Sequence, residues 1–218
     1  MIEEVRKKWA EHPELKQSHH FVYDFLLRDG NPNVLVLGIN PGETSEDWQK
    51  FPKGQYEESR HLNFREKLPL SASSKKWFTF IKNALPPNVG VILSELFFWS
   101  SNKAADLKPR YGDWQNSELI EFCTEANQYL IKTHKVSLVL FFGLTFSKLV
   151  VRLYDLKLKE VIYSTTDQKK LCEVYLDNEE RYWVVCSHPA ARGMTREKKK
   201  QISSILISLS PTTSKASL

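Results

Sequence analysis

The sequence has few cysteines, and their spacing does not fit a metal site. Cys123, Cys172 and Cys186 are far apart, and none belongs to a C-x-x-C pair of the kind that holds zinc or an iron–sulfur cluster. An odd number of cysteines also argues against a disulfide framework. We therefore expect no metal, and we interpret Cys186, which lies inside an apolar run, as a small buried hydrophobic residue.

Long apolar runs are absent as well. No stretch reaches the roughly 18 uninterrupted apolar residues of a membrane span. The first 16 residues, MIEEVRKKWAEHPELK, are charged throughout and lack the apolar core of a signal peptide. We expect no membrane partner and a cytoplasmic location, or a nuclear one if the source is eukaryotic.

Glycine is scarce too, with 8 in 218 residues, and neither nucleotide-binding glycine motif is present. The sequence has no G-x-x-x-x-G-K-[ST] phosphate loop and no G-x-G-x-x-G fingerprint. The Gly38–Gly42 segment is therefore neither a phosphate loop nor a dinucleotide-binding fingerprint.

Length and charge fit one domain with an anionic partner. At 218 residues and 41% hydrophobic content, the chain can bury one sizeable core, which predicts a single domain over 1–209 and a disordered polar tail over 210–218. Lysine and arginine number 31 against 26 aspartates and glutamates, and the net charge of +5 suits a nucleic acid, although many soluble surfaces are as basic. We expect a monomer.

Apolar runs alternate with helical patterns along the chain. Strands are predicted at 34–38, 90–99, 137–143 and 182–187, with 172–176 pairing with the last of them. Helices are predicted at 2–10, about 20–28, 75–85, 116–134, 145–156 and 195–209, and the polar segment 43–74 is expected to be a functional loop. The pattern predicts an α/β fold, a three-layer α/β/α sandwich with a mainly parallel four-stranded central sheet.

Ligand sites in such sheets form beyond the carboxyl ends of the strands. The segments that leave these ends hold Gly38-Ile39-Asn40-Pro41-Gly42 after the first strand and His188-Pro189 after the last. Two glycines allow a planar ligand to approach the backbone closely, and Asn40 offers an amide oxygen and two N–H donors. Each motif alone also fits a purely structural role, with Asn40 as a turn residue and His188 as a structural histidine.

Together, in this order, the two motifs resemble those of the uracil-DNA glycosylase superfamily. The first motif is most similar to that of the mismatch-specific uracil and thymine glycosylases. The strand Leu140-Phe141-Phe142-Gly143 and the helix after it are also similar to the superfamily pattern, so the likeness spans roughly 34–209. The resemblance implies a monofunctional DNA glycosylase that removes a deaminated or otherwise damaged base, and it implies that the enzyme uses no metal and no cofactor.

The resemblance implies a role for each residue at the strand ends. Asn40 would position the attacking water, and His188 would stabilise charge on the departing base. The base would be bound by the backbone around Gly38, Ile39 and Gly42, and its edge would be read by Ser94, Glu95 or Asn102.

DNA, double- or single-stranded, is the partner that the resemblance implies. Flipping a base leaves a gap that an inserted side chain can fill, and Arg192 is the predicted wedge, with Met194 second. The helix that follows would hold phosphates through cations such as Arg196 and Lys198. The run from Lys198 to Lys200 also fits an ordinary solvated helix face.

Two other functions fit the same residues. Ala190 stands where many relatives carry serine, and Ser94 or Glu95 stands where uracil-specific relatives carry asparagine. A nucleic-acid-binding module of the same fold that has lost catalysis is one alternative. A hydrolase of free nucleosides or nucleotides is the other.

Overall fold

The computed structural model describes residues 2–12, 15, 25–28, 30, 32–42 and 72–210. At positions 2, 3, 5, 6, 9, 25–27 and 72–76 it describes the backbone alone. Most of the predicted loop 43–74, the start of the predicted helix at 20–28 and all but the first residue of the predicted tail lie outside the described residues.

Helices and strands alternate along the described chain. The strands are β1 (Phe25–Arg28), β2 (Asn33–Gly38), β3 (Gly90–Glu95), β4 (Val136–Phe142), β5 (Lys157–Tyr163), β6 (Lys170–Leu176) and β7 (Tyr182–Cys186). The helices are α1 (Ile2–Glu11), α2 (Ala72–Ala84), α3 (Leu107–Tyr111), α4 (Glu118–Thr133), α5 (Ser147–Tyr154) and α6 (Arg196–Leu209). Single 3-10 turns occur at Ala104–Asp106, Trp114–Asn116 and Leu144–Phe146. The α/β class predicted from the sequence is confirmed.

The central sheet differs from the prediction in strand number and direction. Within the described residues, seven strands form one mixed sheet in the order β1-β3-β2-β4-β7-β6-β5. β4 pairs in parallel with β2 and β7, whereas β6 pairs antiparallel with β7 and β5. The prediction of four mainly parallel strands is therefore wrong, although the predicted pairing of 172–176 with the last strand is confirmed.

The strands that the sequence did not predict, β1 and β5, lack a long apolar run. β5 is an edge strand whose first four residues are exposed, so Lys157–Tyr163 shows none of the apolar continuity of an inner strand. At β1 the helix predicted over 20–28 is wrong for its described part, since Phe25–Arg28 is extended. A segment of four apolar or long residues fits both the helical and the strand period of side chains. Pairing in the sheet therefore decides which of the two structures it forms.

The inner strands are buried on both faces, as their apolar sequences predict. The residues at 34–37 in β2, 138–141 in β4 and 184–186 in β7 are all fully buried. Leu37 lies beside Phe141, and Phe142 lies beside Cys186, so the carboxyl ends of these strands share one edge of the sheet. In the second unit, the chain leaves that edge toward His188 after β7.

Internal contacts divide the chain into two compact units. The first takes its described residues from Met1–Phe25, Gly38–Pro69 and Ser94–Tyr129. The second takes them from Leu26–Leu37, Leu70–Leu93 and Leu130–Leu218, and it contains most of the sheet. The single domain over 1–209 stays a prediction, and each unit is described by itself below.

The cysteines are buried thiols. Cys123, Cys172 and Cys186 are all fully buried and free. Burial raises the pKa of Cys172 to about 12 and that of Cys186 well above its ordinary value. Both thiols stay protonated near neutral pH, which makes them poor nucleophiles.

The described helices are each too short or too polar to cross a membrane.

Candidate functional site

The first motif forms an extended segment of the first unit. Gly38 and Ile39 accept backbone hydrogen bonds from Leu96 and Phe97, both at 2.9 Å. Farther along, the Ser101 N–H donates to the Pro41 carbonyl at 3.1 Å, and Gly42 forms a parallel bridge with Ser101. The segment from Gly38 to Gly42 is thus held along the chain that follows β3.

Hydrogen bonds fix the orientation of the Asn40 side chain. Its Nδ2 donates to the Pro41 carbonyl at 2.9 Å and to Ser101 Oγ at 2.8 Å. The Pro41 carbonyl can only accept, so the amide atom that faces it is the nitrogen. Ser101 Oγ in turn donates to the Lys103 carbonyl at 2.8 Å and so receives from Asn40 as an acceptor. Both amide protons are used, and no described residue donates to Asn40 Oδ1.

The Glu95 carboxylate lies against Gly38. A methyl group built at Gly38 would overlap Glu95 Oε2, so only glycine fits here beside the carboxylate. Glu95 is 7% exposed, which makes it one of the few buried acids in the described chain. The predicted base-reading residue Glu95 is therefore placed next to the first motif.

The side chain of Ser94 is hydrogen-bonded within the protein. Its hydroxyl donates to Asn127 Oδ1 at 2.6 Å, and Asn127 Nδ2 donates to the Glu95 carbonyl at 2.9 Å. Ser94 and Asn127 are both fully buried. These bonds fasten the end of β3 to α4, and they use the hydroxyl proton of Ser94 within the protein.

Asn102 and Gly42, two of the other predicted base-binding positions, are exposed, while Ile39 is half-buried. Asn102 directly follows Ser101, the residue that holds Asn40. The first unit thus brings together Asn40, Glu95 and the glycine segment.

His188 opens a tight loop in the second unit. The loop is closed by hydrogen bonds from the Ala191 N–H to the His188 carbonyl at 2.8 Å and from the Met194 N–H to the Ala191 carbonyl at 3.1 Å. Gly193 has a φ of 85°, a conformation that side chains resist, so glycine is required at that turn. Thr195 then caps α6, accepting from the Lys198 N–H at 3.3 Å.

The loop selects one tautomer of His188. The Ala190 N–H donates to His188 Nδ1 at 3.1 Å, so Nδ1 carries the lone pair. Burial lowers the pKa of His188, and the charge of Lys199 lowers it further. The ring is therefore neutral near pH 7, with its one proton on Nε2 as a hydrogen-bond donor.

Aromatic residues pack against the imidazole. The ring of Trp77, on α2, lies nearly parallel to that of His188, with centroids 6.5 Å apart. Phe142, the last residue of β4, meets the imidazole edge-on at 5.7 Å. Trp77 Nε1 is buried, and it has no acceptor in the described part of the chain. These rings exclude water from one side of His188, which is the burial that lowers its pKa.

We expect Trp77→Ala to raise the pKa of His188 toward its ordinary value of about 6.5 because the substitution lets water reach the ring. Trp77→Phe, which keeps an aromatic cover, should leave the pKa close to that of the unmodified protein. The measurement is an NMR titration of the His188 ring protons. A pKa unchanged by Trp77→Ala would show that the indole does not shield the imidazole.

Acid should weaken the His188 loop. A proton on Nδ1 would face the Ala190 N–H, donor against donor, so protonation breaks that hydrogen bond. Because the pKa is lower in the folded than in the unfolded protein, this contribution to stability is complete above about pH 6.5 and is lost as the pH falls toward the folded-state pKa.

The predicted DNA-contacting residues fall into two groups. Arg192 is exposed on the loop, as a wedge must be, and Met194 is half-buried beside it. Arg196 is exposed at the start of α6. Lys198 differs, because its Nζ binds Asp167 Oδ2 at 2.8 Å and its side chain is only 13% exposed. Its charge is already paired within the protein.

Sequence reasoning missed the residues that orient the motif side chains. Ser101 follows an aromatic run, and Asn127 is a polar residue on the apolar face of α4, which is the signal that could have marked it. Trp77 is buried as expected of a core residue, but its contact with His188 is visible only in the fold. Asn40 and His188 belong to different units, and the shared crevice expected from the sequence stays a prediction.

In the described part of the chain, no group of three or more His, Cys, Asp or Glu side chains is arranged to hold a metal ion.

No protein-family model matches this chain, and no curated protein matches it.

Proposed function

We propose that this protein is a monofunctional DNA glycosylase with the three-layer α/β/α fold of the uracil-DNA glycosylase superfamily. It hydrolyses the N-glycosidic bond of a flipped deaminated or damaged base, uracil or a related one. The observation that carries the proposal is the fixed tautomer of His188, a neutral imidazole whose Nε2–H is the available donor.

A neutral donor suits this reaction. When the C1′–N bond breaks, its electron pair moves onto the base, which leaves as an anion. An N–H that is already oriented stabilises the new charge without reorganisation, and burial strengthens that interaction. His188 therefore acts in the proposal by hydrogen bonding to the departing base, and it does not need to transfer a proton.

Asn40 has the complementary role in the proposal. With both amide protons bound to Pro41 and Ser101, its Oδ1 is left as an oriented acceptor for a water molecule. The water oxygen forms the new bond to C1′ as the bond to the base breaks, and the water proton passes to solvent. An amide is too weak a base to take that proton, so Asn40 accelerates the reaction by positioning.

Glu95 is the proposed base-reading residue of the first unit. A buried carboxylate only accepts hydrogen bonds, so it favours a base edge that carries an N–H or an exocyclic amine. Ser94 is left out of this role because its hydroxyl is bound to Asn127.

The test is base release from oligonucleotides that carry uracil, hypoxanthine, xanthine or a thymine mismatch, with alkaline cleavage of the abasic site as the readout. We expect one or more members to be cleaved by the protein alone, in the presence of EDTA. Binding without release from any member would instead identify a non-catalytic module. Release from free nucleosides but not from oligonucleotides would identify a nucleoside hydrolase.

A further inference from the structure

A groove runs between α2 and α6 in the second unit, and of the residues given roles above it includes only Arg196, the predicted phosphate contact. It has a volume of about 670 Å³ and is open to solvent along one side. α2 contributes Thr79, Phe80 and Asn83; α6 contributes Arg196, Lys199, Lys200, Ser203, Ser204 and Ile207. Three cations and several neutral polar groups line it, and no acid does.

The cations of the groove form no ion pair within the described part of the chain. Neither Arg196, Lys199 nor Lys200 forms an ion pair with any described carboxylate, whereas their neighbour Lys198 is paired with Asp167. Glu197 lies on the same helix near Arg196 and Lys200 but does not line the groove. The lining therefore has a net positive charge.

The spacing of the cations suits a repeating anion. Arg196 and Lys200 lie one helical turn apart, about 6 Å along the axis of α6. Farther along, Ser203 and Ser204 donate their hydroxyls to carbonyls of their own helix. Thr79 and Asn83, exposed on α2, supply the neutral donors that commonly accompany cations at phosphates.

The groove is connected to the His188 loop through its floor. Phe80 packs on Phe142 with ring centroids 5.9 Å apart, and Phe142 packs on His188 at 5.7 Å. Lys199 is also close enough for its charge to act on His188. The groove therefore lies close to the His188 loop.

We propose that the groove between α2 and α6 binds the sugar–phosphate backbone of a DNA strand through Arg196, Lys199 and Lys200. The identity of the anion as DNA rests on the proposed function; the affinity for a polyanion rests on the groove itself. An acidic polypeptide would meet the same three cations, and its binding is one outcome of the test.

The experiment measures binding of undamaged fluorescent DNA, single- and double-stranded, by anisotropy over a range of salt concentrations. The test variant is Arg196→Gln/Lys199→Gln/Lys200→Gln. The matched control, Lys132→Gln/Lys135→Gln/Lys157→Gln, removes the same charge from exposed lysines elsewhere in the second unit. A third variant, Arg196→Lys/Lys199→Arg/Lys200→Arg, keeps the charge and reports on folding.

We expect the test variant to bind at least about tenfold more weakly and to lower the slope of log affinity against log salt by about 2 to 3, near 0.9 for each lost phosphate contact. The control and the charge-conserving variant should stay close to the unmodified protein. Equal losses in the test and control variants would overturn the groove site. So would binding of polyglutamate as tightly as DNA, which would assign the groove to an acidic polypeptide.

Base release assayed at saturating DNA separates this inference from the proposed function. Groove-dependent binding without any base release leaves the inference standing and removes the glycosylase. Base release by the unmodified protein, together with normal DNA binding by the test variant, removes the inference and leaves the glycosylase standing.

Discussion

Asn40→Ala is expected to lower the single-turnover rate of base release by at least about a hundredfold, with little change in the melting temperature. The substitution removes the oriented Oδ1 acceptor, and misplacement of a reacting water by about 1 Å is enough for a loss of this size. The side chain is only half-buried, and the backbone bonds of its segment to Leu96, Phe97 and Ser101 remain. Single-turnover kinetics with a substrate found in the oligonucleotide panel measures the effect. An unchanged rate would remove Asn40 from the mechanism.

Two further variants separate orientation from basicity. Ser101→Ala deletes one of the two acceptors that hold the Asn40 amide, and we expect an intermediate loss of rate because the Pro41 carbonyl still holds the other proton. Asn40→Asp supplies a stronger base, but it places a carboxylate oxygen about where Nδ2 now donates to the Pro41 carbonyl at 2.9 Å. Because two acceptors repel each other there, we expect this variant to be slower than the unmodified protein.

A double variant tests that Asn40 and His188 serve the same bond cleavage. Residues that act on one transition state give strongly non-additive losses. We therefore expect Asn40→Ala/His188→Ala to be less impaired than the product of the two single losses. Fully multiplicative losses would indicate that the two residues act independently.

Gly38→Ala is expected to destabilise the protein by about 1–3 kcal/mol, the usual cost of forcing an extra methyl group into a packed site. The new methyl group would overlap the Glu95 carboxylate, which is itself buried and cannot swing freely into solvent. The first motif must then shift, so base release should fall as well. Chemical denaturation gives the change in the free energy of unfolding.

Gly42→Ala is the matched control in the same motif. A methyl group there has no described atom within 4 Å, and its φ is not in the left-handed region, so the change in stability should stay within about 0.5 kcal/mol. Glu95→Ala in the Gly38→Ala background should restore part of the lost stability by removing the overlapping group. Equal effects of Gly38→Ala and Gly42→Ala would contradict the steric explanation.

The sequence was sufficient to predict an element wherever the local pattern of apolar residues matches their burial in the fold. The runs of β2, β4 and β7 are apolar because they are buried on both faces, and the helices α2, α4 and α6 lie within a few residues of their predicted positions. The order of the two motifs after parallel strands could be predicted for the same reason. β1 and β5 could not be predicted, since neither has a long apolar run in its sequence and each becomes a strand through pairing with a neighbour.

The candidate site shows the same division. From the sequence alone came the choice of Asn40 and His188, because a side chain that follows a buried strand is placed at its end by the strand itself. Their chemical states depend on partners far away in the chain. Ser101 fixes the Asn40 amide across 61 residues, and Trp77 shields His188 across more than a hundred. No local pattern links such pairs.

What the sequence by itself determined is therefore the α/β class, the inner strands and the two motifs, all of which follow from the period of apolar residues and from short-range spacing. Only the tertiary structure decided the mixed sheet, the tautomer of His188, the commitment of Ser94 to Asn127 and the pairing of Lys198 with Asp167. The physical reason is that hydrogen bonds, burial and ion pairs between distant residues set the charge and orientation of a side chain, and these contacts exist only once the chain has folded.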